Sequence, residues 1–205
     1  MKCQVGVIHH GVGNTVAITN LLKKIGVETV IVDSHTKLSQ LGRSDLKLII
    51  PGVGSFDAGM RSLQERDLVS GIRSFAQDGG RILGICLGMQ LLFDGSAEGE
   101  LHGIGLLSGT LMAMNSSSEF RVPNVGWQKV TQVKECSLLE SVVRPVFYHN
   151  HSFALASSNH FTAATIEHER NYSAIVQRSN VFGVQFHPEK SHSAGERLIR
   201  NFINL

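Results

Sequence analysis

The chain has 205 residues, 42% hydrophobic and 18% charged, and at roughly 150 residues per domain this length predicts one domain over 1–205. Its 19 Lys and Arg against 17 Asp and Glu leave a net charge of +2 with no basic run, too weak a field to gather nucleic acid. A mean hydropathy of +0.04 with 21 Gly and 4 Pro excludes disordered, collagenous and low-complexity classes, and no apolar stretch approaches the ~18 residues of a membrane span.

Val5 to Ile8 predicts a first strand, too close to Met1 to leave room for the apolar segment of a secretion signal. Gly11-Val12-Gly13-Asn14 follows as a turn, then Ala17, Leu21, Leu22 and Ile25 form a helix stripe closed by Gly26. Thr29 to Val32 resumes the sheet. Leu46 to Ile50 is a strand buried on both faces, stopped by Pro51-Gly52-Val53-Gly54, and a helix carrying Leu68, Ile72 and Phe75 leads to Gly79-Gly80 and a strand from Arg81 to Ile85. This alternation predicts βαβ units and a mostly parallel central sheet flanked by helices. From about residue 105 the texture changes to short β-rich segments, near 105–112, 126–133, 145–148, 152–156, 162–166, 173–177 and 181–186, which predict additional antiparallel strands in the second half. Asn115-Ser116-Ser117-Ser118 reads as a surface loop, and Ala194 to Phe202 as a closing helix.

The cysteines Cys3, Cys86 and Cys136 are odd in number and lack C-x-x-C spacing, which predicts reduced thiols in a cytoplasm. One of them stands in Gly84-Ile85-Cys86-Leu87-Gly88, a G-x-C-x-G where a buried strand gives way to a helical pattern from Leu87 to Phe93. That spacing matches a nucleophile elbow, in which a sharp turn lifts the central residue off the sheet and sets its sulfur at a helix N-terminus, with the Leu87 amide aimed where an oxyanion forms. A buried cysteine serving as a small hydrophobe is the competing reading.

A thiol nucleophile needs a base. Phe186-His187-Pro188-Glu189-Lys190 supplies one directly after another predicted strand, and in extended chain His187 and Glu189 face the same way, so the carboxylate orients the imidazole. Pro51-Gly52-Val53-Gly54 is a second Gly-rich strand end whose amides can approach a ligand; no G-K-[ST] follows, which disfavours a phosphate loop. His149-x-His151 could set two imidazoles on one face for a metal, but no carboxylate or third histidine stands at ligand spacing.

Gly84 to Phe93 together with Gln185-Phe186-His187-Pro188-Glu189-Lys190-Ser191 resembles the class I, triad-type glutamine amidotransferases. Pro51-Gly52-Val53-Gly54-Ser55-Phe56, Val122-Pro123-Asn124-Val125-Gly126-Trp127 and His151-Ser152-Phe153 narrow the likeness to the glutaminase subunits of imidazole glycerol phosphate synthases, over nearly the whole chain. The resemblance implies a flavodoxin-like α/β fold, no cofactor, no metal, and hydrolysis of glutamine to glutamate and ammonia. It assigns Cys86 as nucleophile, His187 as general acid and base, and Glu189 as its orienter. Leu87 and Val53 become the oxyanion amides, Val53 after a rearrangement of the Pro51 to Gly54 loop. Gly52, Gln90, Glu98 and the backbone of His151, Ser152 and Phe153 are assigned to the substrate glutamine, with Glu98 suited to its ammonium.

Ammonia is mostly protonated at neutral pH and useless as a nucleophile unless handed on directly. One 205-residue domain leaves no room for an acceptor site, so a second chain is expected. The resemblance makes it a (βα)8-barrel cyclase subunit in a heterodimer that forms imidazole glycerol phosphate and AICAR in histidine biosynthesis, with Trp127 and Lys190 near the contact. Three segments depart from the family pattern. His9-His10 stands where an Asp-Tyr pair is usual, Asn124-Val125-Gly126-Trp127-Gln128 replaces His-Met-Gly-Trp-Asn, and Tyr148-His149-Asn150-His151 is atypical before Ser152. These leave open a paralogous subunit that supplies ammonia to a cyclase-like partner for amidination of a surface-polysaccharide sugar. A stand-alone cysteine hydrolase and a non-catalytic module with a relic elbow are the remaining alternatives.

Overall fold

The computed structural model describes residues 4–11, 13–41 and 46–205, so Cys3 and Val12 lie outside the described residues. The first half runs β1 (Gln4–Ile8), α1 (Thr15–Lys24), β2 (Glu28–Val32), α2 (His35–Gln40), β3 (Leu46–Gly52), α3 (Phe56–Glu65), α4 (Leu68–Gln77), β4 (Arg81–Cys86) and α5 (Leu87–Leu91). The second half is mostly strands: β5 (Gly95–Ser96), β6 (Thr110–Ala113), β7 (Asn124–Lys129), β8 (Thr131–Gln132), β9 (Val146–His151), β10 (Phe153–Ala154), β11 (Thr162–His168), β12 (Arg170–Arg178) and β13 (Val181–Val184), before α6 (His192–Asn204).

The main sheet has the order β2-β1-β3-β4-β13-β12-β11-β8. Its first five strands are parallel and its last three antiparallel, the division the sequence texture predicts. Successive side chains of a strand point to opposite faces. Val5, Val7, Ile49, Leu83 and Ile85 therefore pack against Ile18 and Leu22 of α1 and Leu198, Ile199 and Phe202 of α6, while Leu48, Ile50 and Ile82 meet Met60, Leu63, Ile72 and Phe75 of α3 and α4. β3 and β13, covered on both faces, are buried at every position.

Local chemistry sets the ends of α1. The Asn14 side chain accepts from Ala17 N at 3.0 Å, Lys23 and Lys24 occupy the negative end of the helix dipole, and Gly26 adopts φ +79 to end it. The structure adds two helices beyond the sequence expectation. α3 does carry a helical stripe, with Phe56, Gly59, Met60 and Leu63 all buried, but Gly59 and the charged residues between them thin its apolar signal. α2, six residues long, is too short to show a period. α5 ends at Leu91, and residues 105–109 are irregular rather than extended. Among the described residues no helix is long and apolar enough to cross a membrane.

Candidate active site

The carboxyl ends of β3, β4 and β13 meet at one edge of the sheet, the usual place for a ligand crevice in an open α/β fold. Cys86 ends β4 with φ 53 and ψ −112, a strained backbone for a residue with a side chain. The flanking glycines make that turn possible. A Cβ on Gly88 would lie 1.7 Å from the Ile50 carbonyl oxygen, and one on Gly84 would lie 2.6 Å from the Gly88 carbonyl oxygen. Leu87 is the first residue of α5, so its amide has no partner within the helix and is free to donate outward.

β13 lies beside β4 in parallel register, Val184 opposite Ile85, which brings Gln185 next to Cys86 although 99 residues separate them; Gln185 Nε2 is 3.9 Å from Sγ. His187, two residues on, lines the same cleft as Cys86 and places its Nδ1 2.9 Å from Glu189 Oε1. Both side chains are buried, at 2% and 5% exposure, and Glu189 Oε2 has no partner, so the carboxylate is directed at the imidazole. The His187 backbone is clamped as well: its N donates to Tyr148 O at 2.9 Å, and Ser191 Oγ donates to its carbonyl at 2.6 Å. His187 and Glu189 do not meet in extended chain as expected. Residues Pro188–Lys190 form a 3-10 turn, for which the fixed φ of Pro188 is preset, and the turn folds the carboxylate back onto the ring.

Burial alone would lower the His187 pKa, but hydrogen bonds and charge from Cys86 and Glu189 outweigh it and raise the pKa to about 10. The folded value exceeds the free one near 6.5, so this proton stabilises the fold fully below about pH 6.5 and the contribution is lost as pH rises through about 10. Glu189→Gln removes one of the raising groups. The imidazole titration, followed by NMR, then moves to lower pH, stability falls less between pH 6.5 and 10 than in the wild type, and kcat drops roughly a hundredfold or more. An unmoved imidazole titration would show that Glu189 does not act on the ring.

Above Cys86 opens a cleft of about 310 Å³ whose wall includes Val53, Leu87, Gln90, Glu98, His187 and the 151–153 segment. Val53 is exposed, whereas Gly52 lies one residue behind the wall, packed against Leu87 and Gly88. Gln90 Nε2 donates to Phe153 O and to Gln185 Oε1, each at 3.2 Å. Glu98 accepts from Phe56 N at 2.8 Å, which holds the carboxylate at the start of α3. Trp127 and Lys190 lie apart from the cleft, on an exposed aromatic cluster: Trp127 stacks on His192 at 5.1 Å, and Lys190 sits over the Tyr148 ring at 5.3 Å.

Residues 7–205 match the family model for glutamine amidotransferase class-I. The chain belongs to this family. Among related glutamine amidotransferases, it is 36% identical to the imidazole glycerol phosphate synthase subunit HisH of Prochlorococcus marinus, over 99% of this chain and 95% of that one. It is 38% identical to the HisH subunit of Leptospira interrogans, over 98% of this chain and all of that one (100%). Solved structures share the fold: one described as a glutamine amidotransferase superposes with TM-score 0.76 at 20% identity, covering 98% of this chain and 97% of that one. PurLQS from Thermotoga maritima superposes with TM-score 0.74 at 21% identity, covering 100% and 99%.

Two features of this glutamine amidotransferase escape sequence reasoning. Gln185 touches both Cys86 and Gln90, and the Asn150 carbonyl lies 3.9 Å from the Cys86 sulfur; the motifs contain both residues, but no spacing within them shows these contacts, because strand order alone brings the residues there. His149 and His151, considered above for a metal, bond instead to each other at 3.2 Å between Nδ1 and Nε2. His151 Nδ1 must donate to Phe153 O at 3.1 Å, so its Nε2 accepts and His149 Nδ1 carries the proton, leaving His149 Nε2 buried without a partner. Burial holds both neutral, His151 at about 4 and His149 well below the usual range. Among the described residues no group of three or more His, Cys, Asp or Glu is placed to hold a metal.

Proposed function

We infer that the chain is the glutaminase subunit of an imidazole glycerol phosphate synthase, one catalytic domain working in the cytoplasm beside a (βα)8-barrel cyclase. The observation that carries this reading is the row of Cys86, His187 and Glu189 at the foot of a polar cleft, in a chain of the HisH type. In the cycle, the Cys86 thiolate attacks the carboxamide carbon of glutamine, and the new oxyanion is received by the amides of Leu87 and Val53. The His187 imidazolium gives its proton to the departing nitrogen, which leaves as ammonia, and a γ-glutamyl thioester remains. His187 then takes a proton from water as it attacks the thioester; glutamate departs and the thiolate is restored. Glu98 and the 151–153 backbone hold the amino-acid end of the substrate. Each oxyanion amide contributes about 3 kcal/mol, so a partner that aims the Val53 amide commands the rate.

Glutamate release by the purified chain, with and without a cyclase barrel and its nucleotide substrate, tests this reading. Turnover is expected to rise about a hundredfold or more in the complex, the effect of gaining one oxyanion donor. Equal turnover by the isolated chain would make it a stand-alone hydrolase, and capture of a sugar-amidinating barrel in preference to the histidine-pathway one would reassign the acceptor.

A further inference from the structure

β1 stops short of its neighbour. Its register with β3 ends at Val7 opposite Ile49, and the chain then leans toward β2, His9 N donating to Val32 O at 2.7 Å, while β3 runs on to Gly52. The Pro51 carbonyl therefore has no backbone donor from β1, and a buried carbonyl left unpaired is costly. The imidazole of His10 takes the place of that donor. Its Nε2 lies 2.8 Å from Pro51 O, and the residue is only 1% exposed. Because a carbonyl only accepts, Nε2 carries the hydrogen, and Nδ1 is left buried with no partner, so this bond is what the ring is there to make. His10 is itself gripped from α3, where Ser62 Oγ donates to its carbonyl.

The same strand end is held from both sides. Gly13 sits so close that a Cβ on it would lie 3.2 Å from Gly52 Cα, and Gly52 pairs with Cys86 and packs against Leu87 and Gly88. Beyond this grip the chain emerges at Val53, 41% exposed in the cleft wall. We propose that His10 is a positioning residue for the oxyanion amide of Val53. Its imidazole anchors the Pro51 carbonyl, so the Gly52–Val53 peptide is aimed from a fixed base, and it couples the loop after β1 to the elbow. The proposal rests on the glutaminase reading above.

The test uses the complex with the cyclase barrel and the variants His10→Leu, His10→Gln and His10→Asn. His10→Leu is expected to lower kcat for glutamine about ten- to a hundredfold with KM nearly unchanged. His10→Gln, whose amide nitrogen reaches where Nε2 lies, is expected to keep about half or more of wild-type kcat, whereas His10→Asn, one methylene shorter, falls with His10→Leu. Alkylation of Cys86 by iodoacetamide, followed by mass spectrometry, forms no oxyanion and is expected to proceed at the wild-type rate in all three. Wild-type kcat in His10→Leu or His10→Asn, an equal loss in His10→Gln, or alkylation slowed in step with kcat would overturn the proposal. If His10→Leu does not fold, the contrast between Gln and Asn decides. A wild-type complex that releases no glutamate would sink the glutaminase reading instead, an outcome distinct from any of these.

Discussion

Cys86→Ala is expected to lower glutamine turnover in the complex by about ten-thousandfold or more, because removal of a nucleophile cannot be shared out among the remaining members of a triad. The side chain is small and its backbone strain is carried equally by alanine, so the fold should persist, with a thermal midpoint within a few degrees of wild type. Loss of turnover with retained partner binding isolates the chemistry from the architecture. Glutamine-dependent activity surviving in Cys86→Ala would remove the sulfur from the mechanism.

Gly88→Ala is the largest expected effect on stability. The added methyl would lie 1.7 Å from the Ile50 carbonyl oxygen, a backbone atom in the middle of the sheet that cannot swing aside like the end of a flexible side chain. A loss of about 4 kcal/mol or more is expected from the denaturant midpoint, at the exceptional end for a single substitution, together with a collapse in soluble yield. Gly95→Ala is the control: its Cβ would meet only the Leu101 carbonyl oxygen at 4.0 Å, and it should change stability little. If the two variants were equally stable, the close approach of α5 to β3 that builds the elbow would not exist in solution.

Parts of the site are legible from residue order because they are local. An elbow needs small residues on either side of one nucleophile within a single turn, and G-x-C-x-G displays that requirement directly. His187 and Glu189 are close in sequence for a similar reason, although the 3-10 turn that joins them follows from Pro188 and from its packing against α6, where a Cβ on Gly195 would lie 1.9 Å from the Pro188 carbonyl oxygen. Strands with a clear apolar run, such as Leu46–Gly52, are readable; β5, β8 and β10, at two residues each, are too short to carry a period.

The linear order of residues was enough to specify the βαβ alternation, the elbow and the cysteine and histidine proposed as its nucleophile and base, since each depends on periodicity or spacing within a few residues. Which distant groups stand beside Cys86 was decided only by folding. The placement of β13 beside β4 brings Gln185 and His187 to Cys86, and the early end of β1 leaves the Pro51 carbonyl to His10. Sheet order is a property of the whole packed core, in which many buried side chains jointly choose the neighbour of each strand, and no short window of sequence contains that choice.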